Sequence, residues 1–382
     1  MHLLLLISLV AVFPLDVLLT SIPEIASRFQ IAPEALSAQL AAFPVIVAVG
    51  QLLAGQAAER WGLRPVFLCC GALTLLATLG ILCATHAWQF QWLRGLQALG
   101  CAGYGLSNAM VQVQLEPAMR AKARVVMTTA SGVFISTAPL FGAMLQGLAG
   151  WRASFAVYAL LVGVVLWCAY RAPSGHPPVA ASTAALPTTH ATGAFWLNSV
   201  LCALAFSVHF SFIVASPLLF MERYALSSWA YAWLLLVYGA CYVAGGWLAA
   251  KACGRIPAHR QVGWGCALML AGGLAMVLLQ SHGRWQVLAI LLPALVSVCG
   301  VCLVRPAATC LAMDARPRRP ARAAATLGTV TFVAGGSLSW VATTLLGWGD
   351  QCLGYWLALM AAASCLIAWL LRRPLWKAES ET

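Results

Sequence analysis

The chain has 382 residues, 62% hydrophobic and only 8% charged, with a formal net charge of +12. Soluble domains carry about 25% charged residues, so the composition excludes a soluble globule. A backbone in lipid must satisfy its own hydrogen bonds, and apolar runs of ~20 residues suit helices rather than the ~10-residue strands of a barrel. The basic excess is read as loop residues on the cytoplasmic side and not as a nucleic-acid surface.

Twelve membrane spans are predicted, at about 2–22, 35–57, 65–84, 89–112, 122–146, 152–170, 193–217, 229–250, 259–280, 285–311, 323–346 and 351–371. The first could pass for a signal peptide. It lacks a basic start, contains Asp16 and shows no small-x-small cleavage site, so it reads as a retained helix. Asp16 is an ionisable group inside an apolar span, which is expensive and marks it as a candidate proton carrier.

Between spans two and three stands Gly55-Gln56-Ala57-Ala58-Glu59-Arg60-Trp61-Gly62-Leu63-Arg64-Pro65. It is predicted to be a tight charged loop. Gly55 and Ala58 let helix ends approach, Gly62 turns the chain, and Pro65 opens the next helix. Glu59, Arg60 and Arg64 are candidate gating charges that pair with neighbouring helix ends. In the fourth span Arg94, Gln97, Cys101, Tyr104, Asn108 and Gln112 recur every three or four residues, which puts them on one helix face. Such a stripe is expected to face water or substrate, the alternative being hydrogen bonding in a dry bundle. The fifth span carries Ala138-Pro139-Leu140-Phe141-Gly142-Ala143, where Pro139 and Gly142 favour a bendable, closely packed segment.

Residues 171–192, rich in Pro, Ala, Ser and Thr, are predicted to be a cytoplasmic linker. They separate an N-terminal six-helix bundle, 1–170, from a C-terminal one, 193–372, with a cytoplasmic tail at 373–382. His209 lies mid-span and is open to protonation, substrate contact or plain packing. Gly245 to Arg255 falls between spans eight and nine and echoes the loop between spans two and three, as an internal duplication would. Cys299-x-x-Cys302 has the spacing of a redox or metal pair but lies within a span, where small buried residues are the better reading. Arg305 is close enough to a cytoplasmic end to snorkel by ~9 Å. With both termini inside, 16 Lys and Arg fall in cytoplasmic segments and 4 in outer loops, which sets the orientation. Tryptophans 88, 92, 151, 229 and 285 are expected at the outer interface. The sequence has no phosphate-binding loop, dinucleotide turn, zincin helix or nucleophile elbow, so the chain is read as a transporter and not an enzyme.

The loop resembles the signature of the major facilitator superfamily, with Glu59 and Leu63 departing from it. Within that superfamily the chain looks like the twelve-span drug:proton antiporters of the bicyclomycin-resistance type. The resemblance is carried by Asp16 to Pro23, by Arg94-Gly95-Leu96-Gln97-Ala98-Leu99-Gly100, by Ala138-Pro139-x-x-Gly142 and by Ala215-Ser216-Pro217 at the end of span seven. Where the group often ends its fourth span with Arg-Asp, this chain has Gln112-Val113-Gln114. The resemblance implies an all-α integral membrane protein of two six-helix halves that exports small amphipathic organic compounds against proton uptake at the inner membrane. It implies spans one and four side by side, with Asp16 and Arg94 as the coupling pair. Phe13, Gln97, Tyr104, Asn108, Phe141 and His209 are the candidate lining of a substrate cavity. Export of an endogenous product such as a siderophore, or uptake by a symporter of the same fold, are the alternatives. The expected partners are a small-molecule substrate, protons and the lipid bilayer, with no nucleic acid, cofactor or metal, and the chain is expected to be a monomer.

Overall fold

The computed structural model describes residues 2–16, 22–30, 33–171, 189–279 and 285–371. Among them the regular structure is entirely helical. The helices are α1 (His2–Asp16), α2 (Ile22–Phe29), α3 (Pro33–Trp61), α4 (Leu63–Cys83), α5 (Ala87–Cys101), α6 (Ser107–Gln114), α7 (Pro117–Ala149), α8 (Trp151–Arg171), α9 (Thr189–Pro217), α10 (Ser228–Ala252), α11 (Ala258–Leu278), α12 (Gln286–Asp314), α13 (Pro320–Leu346) and α14 (Gln351–Leu370).

Nine of the described helices are long and apolar enough to cross a membrane, and α7 makes ten if its segments 117–135 and 140–149 count as one span. Of the other two predicted spans, the first is described as α1, with 17–21 outside the described residues. The fourth is α5 and α6 joined by a 3-10 segment, Ala102–Leu106. This count is consistent with twelve spans.

Local chemistry explains the ends. Gly62 takes φ +91, a conformation open to glycine, so only one residue separates α3 from α4. The expected loop is therefore mostly helix, because Gly55 to Trp61 continue α3. Leu63 and not Pro65 opens α4; Pro65 sits within its first turn, where a missing N–H costs nothing. Gly254 takes φ +79 between α10 and α11, the matching place in the second half. Pro117 and Pro320 open α7 and α13. The Ser227 hydroxyl accepts from Ala230 N at 3.2 Å to cap α10. Ala215-Ser216-Pro217 was expected at the end of span seven, but the chain continues as a π-helical segment, Leu218–Arg223.

By packing, the chain forms two units. The first comprises 1–116, 137–184 and 318–332, and the second 117–136, 185–317 and 333–382. Helices α7 and α13 thus each contribute to both. In the first unit α4 packs on α5 and α8, α3 on α5, and α1 on α8. In the second, α12 packs on α9, α10 and α11, while α14 packs on α9 and α11. Large apolar side chains left on the outside, such as Leu76, Leu160, Trp233 and Leu359, are suited to lipid. Trp88, Trp92, Trp229 and Trp285 are exposed as expected, but Trp151 is 3% exposed. It is held edge-on by Phe29, Phe90 and Phe155 in an aromatic cluster, so burial wins over an interfacial position. The expected linker lies almost wholly in 172–188, outside the described residues.

Candidate functional site

Arg94 on α5 is 3% exposed. Its guanidinium lies over the Phe43 ring at 4.4 Å and near the Phe155 ring at 5.9 Å. Nη2 donates to the Pro14 carbonyl at 3.2 Å. That contact brings α5 against α1 two residues before Asp16. Nη1 donates to Gln97 Oε1. Gln97 Nε2 passes the network on to Thr78 Oγ1 at 2.7 Å, and Thr78 donates to Thr74 O at 2.6 Å. One buried hydrogen-bond chain therefore ties α5 to α1 and to α4. Asp16 stands two residues beyond Pro14, but its side chain and residues 17–21 lie outside the described residues, as does the expected Asp16–Arg94 pairing.

The rest of the polar stripe was expected to be open to water. It is packed instead. Gln97, Cys101, Tyr104 and Gln112 are all buried, and Asn108 is half-buried. Cys101 Sγ lies 3.2 Å from Tyr158 Oη, and Tyr104 is edge-on to Phe67 at 6.0 Å. Phe13, also buried, stacks on Tyr158 at 5.4 Å. The physical reason is that Gln97 and Cys101 find partners on neighbouring helices and Tyr104 packs its ring on Phe67, while the 3-10 segment interrupts the helical face between Cys101 and Ser107. Phe141 is 49% exposed and Gly142 buried, while the side chain of Pro139 lies outside the described residues.

A second cluster lies on α9, α10 and α12. His209 is 1% exposed; its Nδ1 lies 3.0 Å from Tyr238 Oη, and its ring stacks on Tyr238 and meets Tyr242 edge-on at 4.9 Å. Arg305 does not snorkel. Its Nη1 points to Tyr242 Oη at 3.4 Å, and its guanidinium lies over Phe206 at 4.8 Å. His209 Nε2 and Arg305 Nε are buried without a hydrogen-bond partner among the described residues.

Small residues set the closest helix approaches. A Cβ on Gly55 would lie 2.4 Å from Ala325 Cβ and 3.1 Å from Ala321 O, so α3 touches α13 there rather than α4. On α10, Gly246 is not in a loop: a Cβ would lie 2.0 Å from Thr129 Oγ1 of α7. Gly132 of α7 reciprocates, since a Cβ there would lie 2.1 Å from Cζ of Tyr242. Of the expected gating charges, Arg64 donates to Tyr170 O at 2.6 Å, at the end of α8. Glu59 and Arg60 are exposed and make no hydrogen bond among the described residues. All 14 cysteines are free, Cys299 lies 3.6 Å from Cys241 through sulfur, and no metal-holding cluster occurs among the described residues.

Two contacts had no sequence signal beyond charge. Glu24 on α2 accepts from Trp151 N at 3.0 Å and Gln146 Nε2 at 3.4 Å, which caps α8 from a different helix. Arg223 pairs with Asp350, which also accepts from Tyr224 Oη at 2.7 Å. Burial, reinforced by the Asp350 carboxylate, pushes the Tyr224 phenol up from its ordinary value.

The sequence profile of the Major Facilitator Superfamily matches residues 4–340. A chloramphenicol resistance protein of Pseudomonas aeruginosa is 26% identical over 299 residues, 75% of this chain and 69% of that one. The multidrug resistance protein MdtL of Escherichia coli strain K12 is 24% identical over 282 residues, 72% of each. Among solved structures, the proton:xylose symporter XylE bound to 6-bromo-6-deoxy-D-glucose superposes with a TM-score of 0.77 at 15% identity, covering 97% of this chain and 95% of that chain. The helices, their apolar faces and the profile match agree: the chain belongs to the Major Facilitator Superfamily and is a multi-pass membrane transporter, not an enzyme.

Proposed function

We propose that this chain is a proton-coupled exporter of small amphipathic organic compounds, of the bicyclomycin-resistance type, in an inner membrane with both termini cytoplasmic. The relatives named for chloramphenicol and multidrug resistance support drugs as the cargo. One observation carries the coupling: Arg94 is buried on aromatic rings and bonded to the carbonyl of Pro14, two residues before Asp16. A buried cation is costly unless it has a task, and an acid two residues from its backbone acceptor supplies one. In this reading Asp16 carries the proton. When ionised it holds Arg94, and when protonated it releases Arg94 and the Gln97–Thr78 chain, which changes the helix arrangement that holds cargo. Gly55, Gly62 and Arg64 serve the cytoplasmic gate, with Glu59 and Arg60 at its surface.

Everted vesicles test this. Asp16→Asn is expected to abolish chloramphenicol accumulation driven by a proton gradient while the protein remains inserted and monodisperse on extraction. Proton release on chloramphenicol binding in detergent should vanish in the same variant. Undiminished gradient-driven transport by Asp16→Asn would place the carrier elsewhere and defeat the reading.

A further inference from the structure

The chain has ten acidic residues, of which Glu222, Asp314 and Asp350 lie among helices α9 to α14 and their connections. Neither Asp314 nor Asp350 is positioned to neutralise Arg305. Asp314 is nine residues further along α12, ~13 Å away at 1.5 Å per residue, and Asp350 is committed to Arg223 and Tyr224. Glu222 belongs to the segment that follows α9, beyond Pro217, whereas Arg305 meets α9 at Phe206. Among the described residues Arg305 has no carboxylate partner. A guanidinium carries five N–H donors. One is directed at Tyr242 Oη, at a long 3.4 Å, and Nε has no acceptor.

A second donor stands nearby. In the neutral tautomer in which Tyr238 donates to His209 Nδ1, the hydrogen sits on Nε2, which is buried and unpartnered. Tyr242 touches both groups, through its ring to His209 and its hydroxyl to Arg305. It is 0% exposed and pressed on the other side by Gly132, so it cannot turn away to satisfy either. Phe206 and Phe210 stack at 5.3 Å with planes 13° apart, forming a flat apolar wall beneath the guanidinium. Gly335 lies directly behind Phe206, where a Cβ would approach its ring to 2.4 Å, so the wall is braced.

We infer that Arg305, with His209 and the Phe206–Phe210 wall, binds the carboxylate of a small aromatic acid, so that the exported compounds include organic monoanions. Arg suits this because its planar fork matches a carboxylate and its faces stack on rings. The inference deepens the exporter reading and rests on it for the direction of transport, but its test does not require transport. The full-length protein, purified in detergent, is titrated by equilibrium dialysis with 2-naphthoate and with 2-naphthamide, which share shape and differ in charge. The wild type is expected to bind the acid at least about tenfold more tightly, as charge-assisted bonding implies. Arg305→Gln should erase that preference, bringing acid binding down to the level of the amide, and Arg305→Lys, which keeps the charge but not the fork, should retain part of it. Equal binding of acid and amide by the wild type, or a preference that survives Arg305→Gln, overturns the inference. If Arg305→Gln fails to fold, the wild-type comparison and Arg305→Lys still decide. A naphthoate preference in a protein that shows no gradient-driven chloramphenicol export would sink the exporter reading alone.

Discussion

The contact between α7 and α10 admits a sharp test through Gly246→Ala. The added methyl would lie 2.0 Å from Thr129 Oγ1, 2.5 Å from Cγ2 and 2.8 Å from Cβ. Ordinary contact between carbon atoms is ~3.5–4.0 Å, so roughly 1.5 Å of room is missing. Threonine has alternative rotamers in helices, but two branches and the Cβ itself are all too close, so rotation alone cannot clear the site. The helices must part or the backbone must bend. Overpacking of this kind costs ~1–3 kcal/mol. An equilibrium between an arrangement with this contact and one without it would move by about 5- to 150-fold. Thermal unfolding of the purified protein, followed by tryptophan fluorescence, reads the loss. Thr129→Ala removes the two nearest atoms, so the Thr129→Ala/Gly246→Ala double variant should be more stable than Gly246→Ala alone, with a coupling of ~1 kcal/mol or more. A Gly246→Ala protein as stable as the wild type, or strictly additive losses in the double variant, would refute the tight α7–α10 approach.

Two further expectations concern the outer end of the first unit and the topology. Glu24→Ala should cost ~1–2 kcal/mol by stripping Trp151 N of its acceptor at the start of α8, and Glu24→Gln should cost less because an amide oxygen still accepts; equal unfolding temperatures for all three proteins would contradict it. A phosphatase fused after the C-terminus should be inactive and a fluorescent protein there bright, since 16 basic residues lie on the predicted cytoplasmic side against 4 outside; the reverse pattern would invert the proposed orientation.

The helices were legible because each is an apolar run long enough to span a bilayer, and that signal needs no tertiary information. Arg94 and Gln97 stood out for the same reason, as polar groups in apolar surroundings. What they bond to did not. The acceptor for Arg94 is the backbone carbonyl of Pro14 in α1, and every residue has a carbonyl. Trp151 was misplaced because an aromatic residue at a helix start suits an interface and a core equally, and only Phe29, Phe90 and Phe155 decide between them. Gly246 was assigned to a loop because Gly245 to Arg255 echoes the loop between spans two and three; its use as a notch for Thr129 depends on a helix far away in sequence. Arg305 looked like a snorkelling residue until Phe206 was found beneath it. Sequence pattern reports what a residue costs in lipid, and the partner that offsets the cost comes from long-range packing.

The five residues Ala102–Leu106 also set an angle. A 3-10 turn advances ~120° and 2.0 Å per residue, against ~100° and 1.5 Å for an α-helix. Over five residues the excess comes to about 100° of winding and about 2.5 Å of length. Helix α6 therefore leaves the segment about a quarter-turn out of phase with α5, and Asn108 points elsewhere than a continuous helix through Arg94 would send it. The winding is locked from outside: Gly103 lies so near α4 that a Cβ would come within 2.3 Å of Cys70 Cβ. Rewinding these residues as α-helix would draw the inner end of the fourth span outward and rotate it past its neighbours. Five residues thus set the facing of α6 as a screw thread sets pitch, so that a small change of winding at mid-span becomes a change of facing at the end of the fourth span.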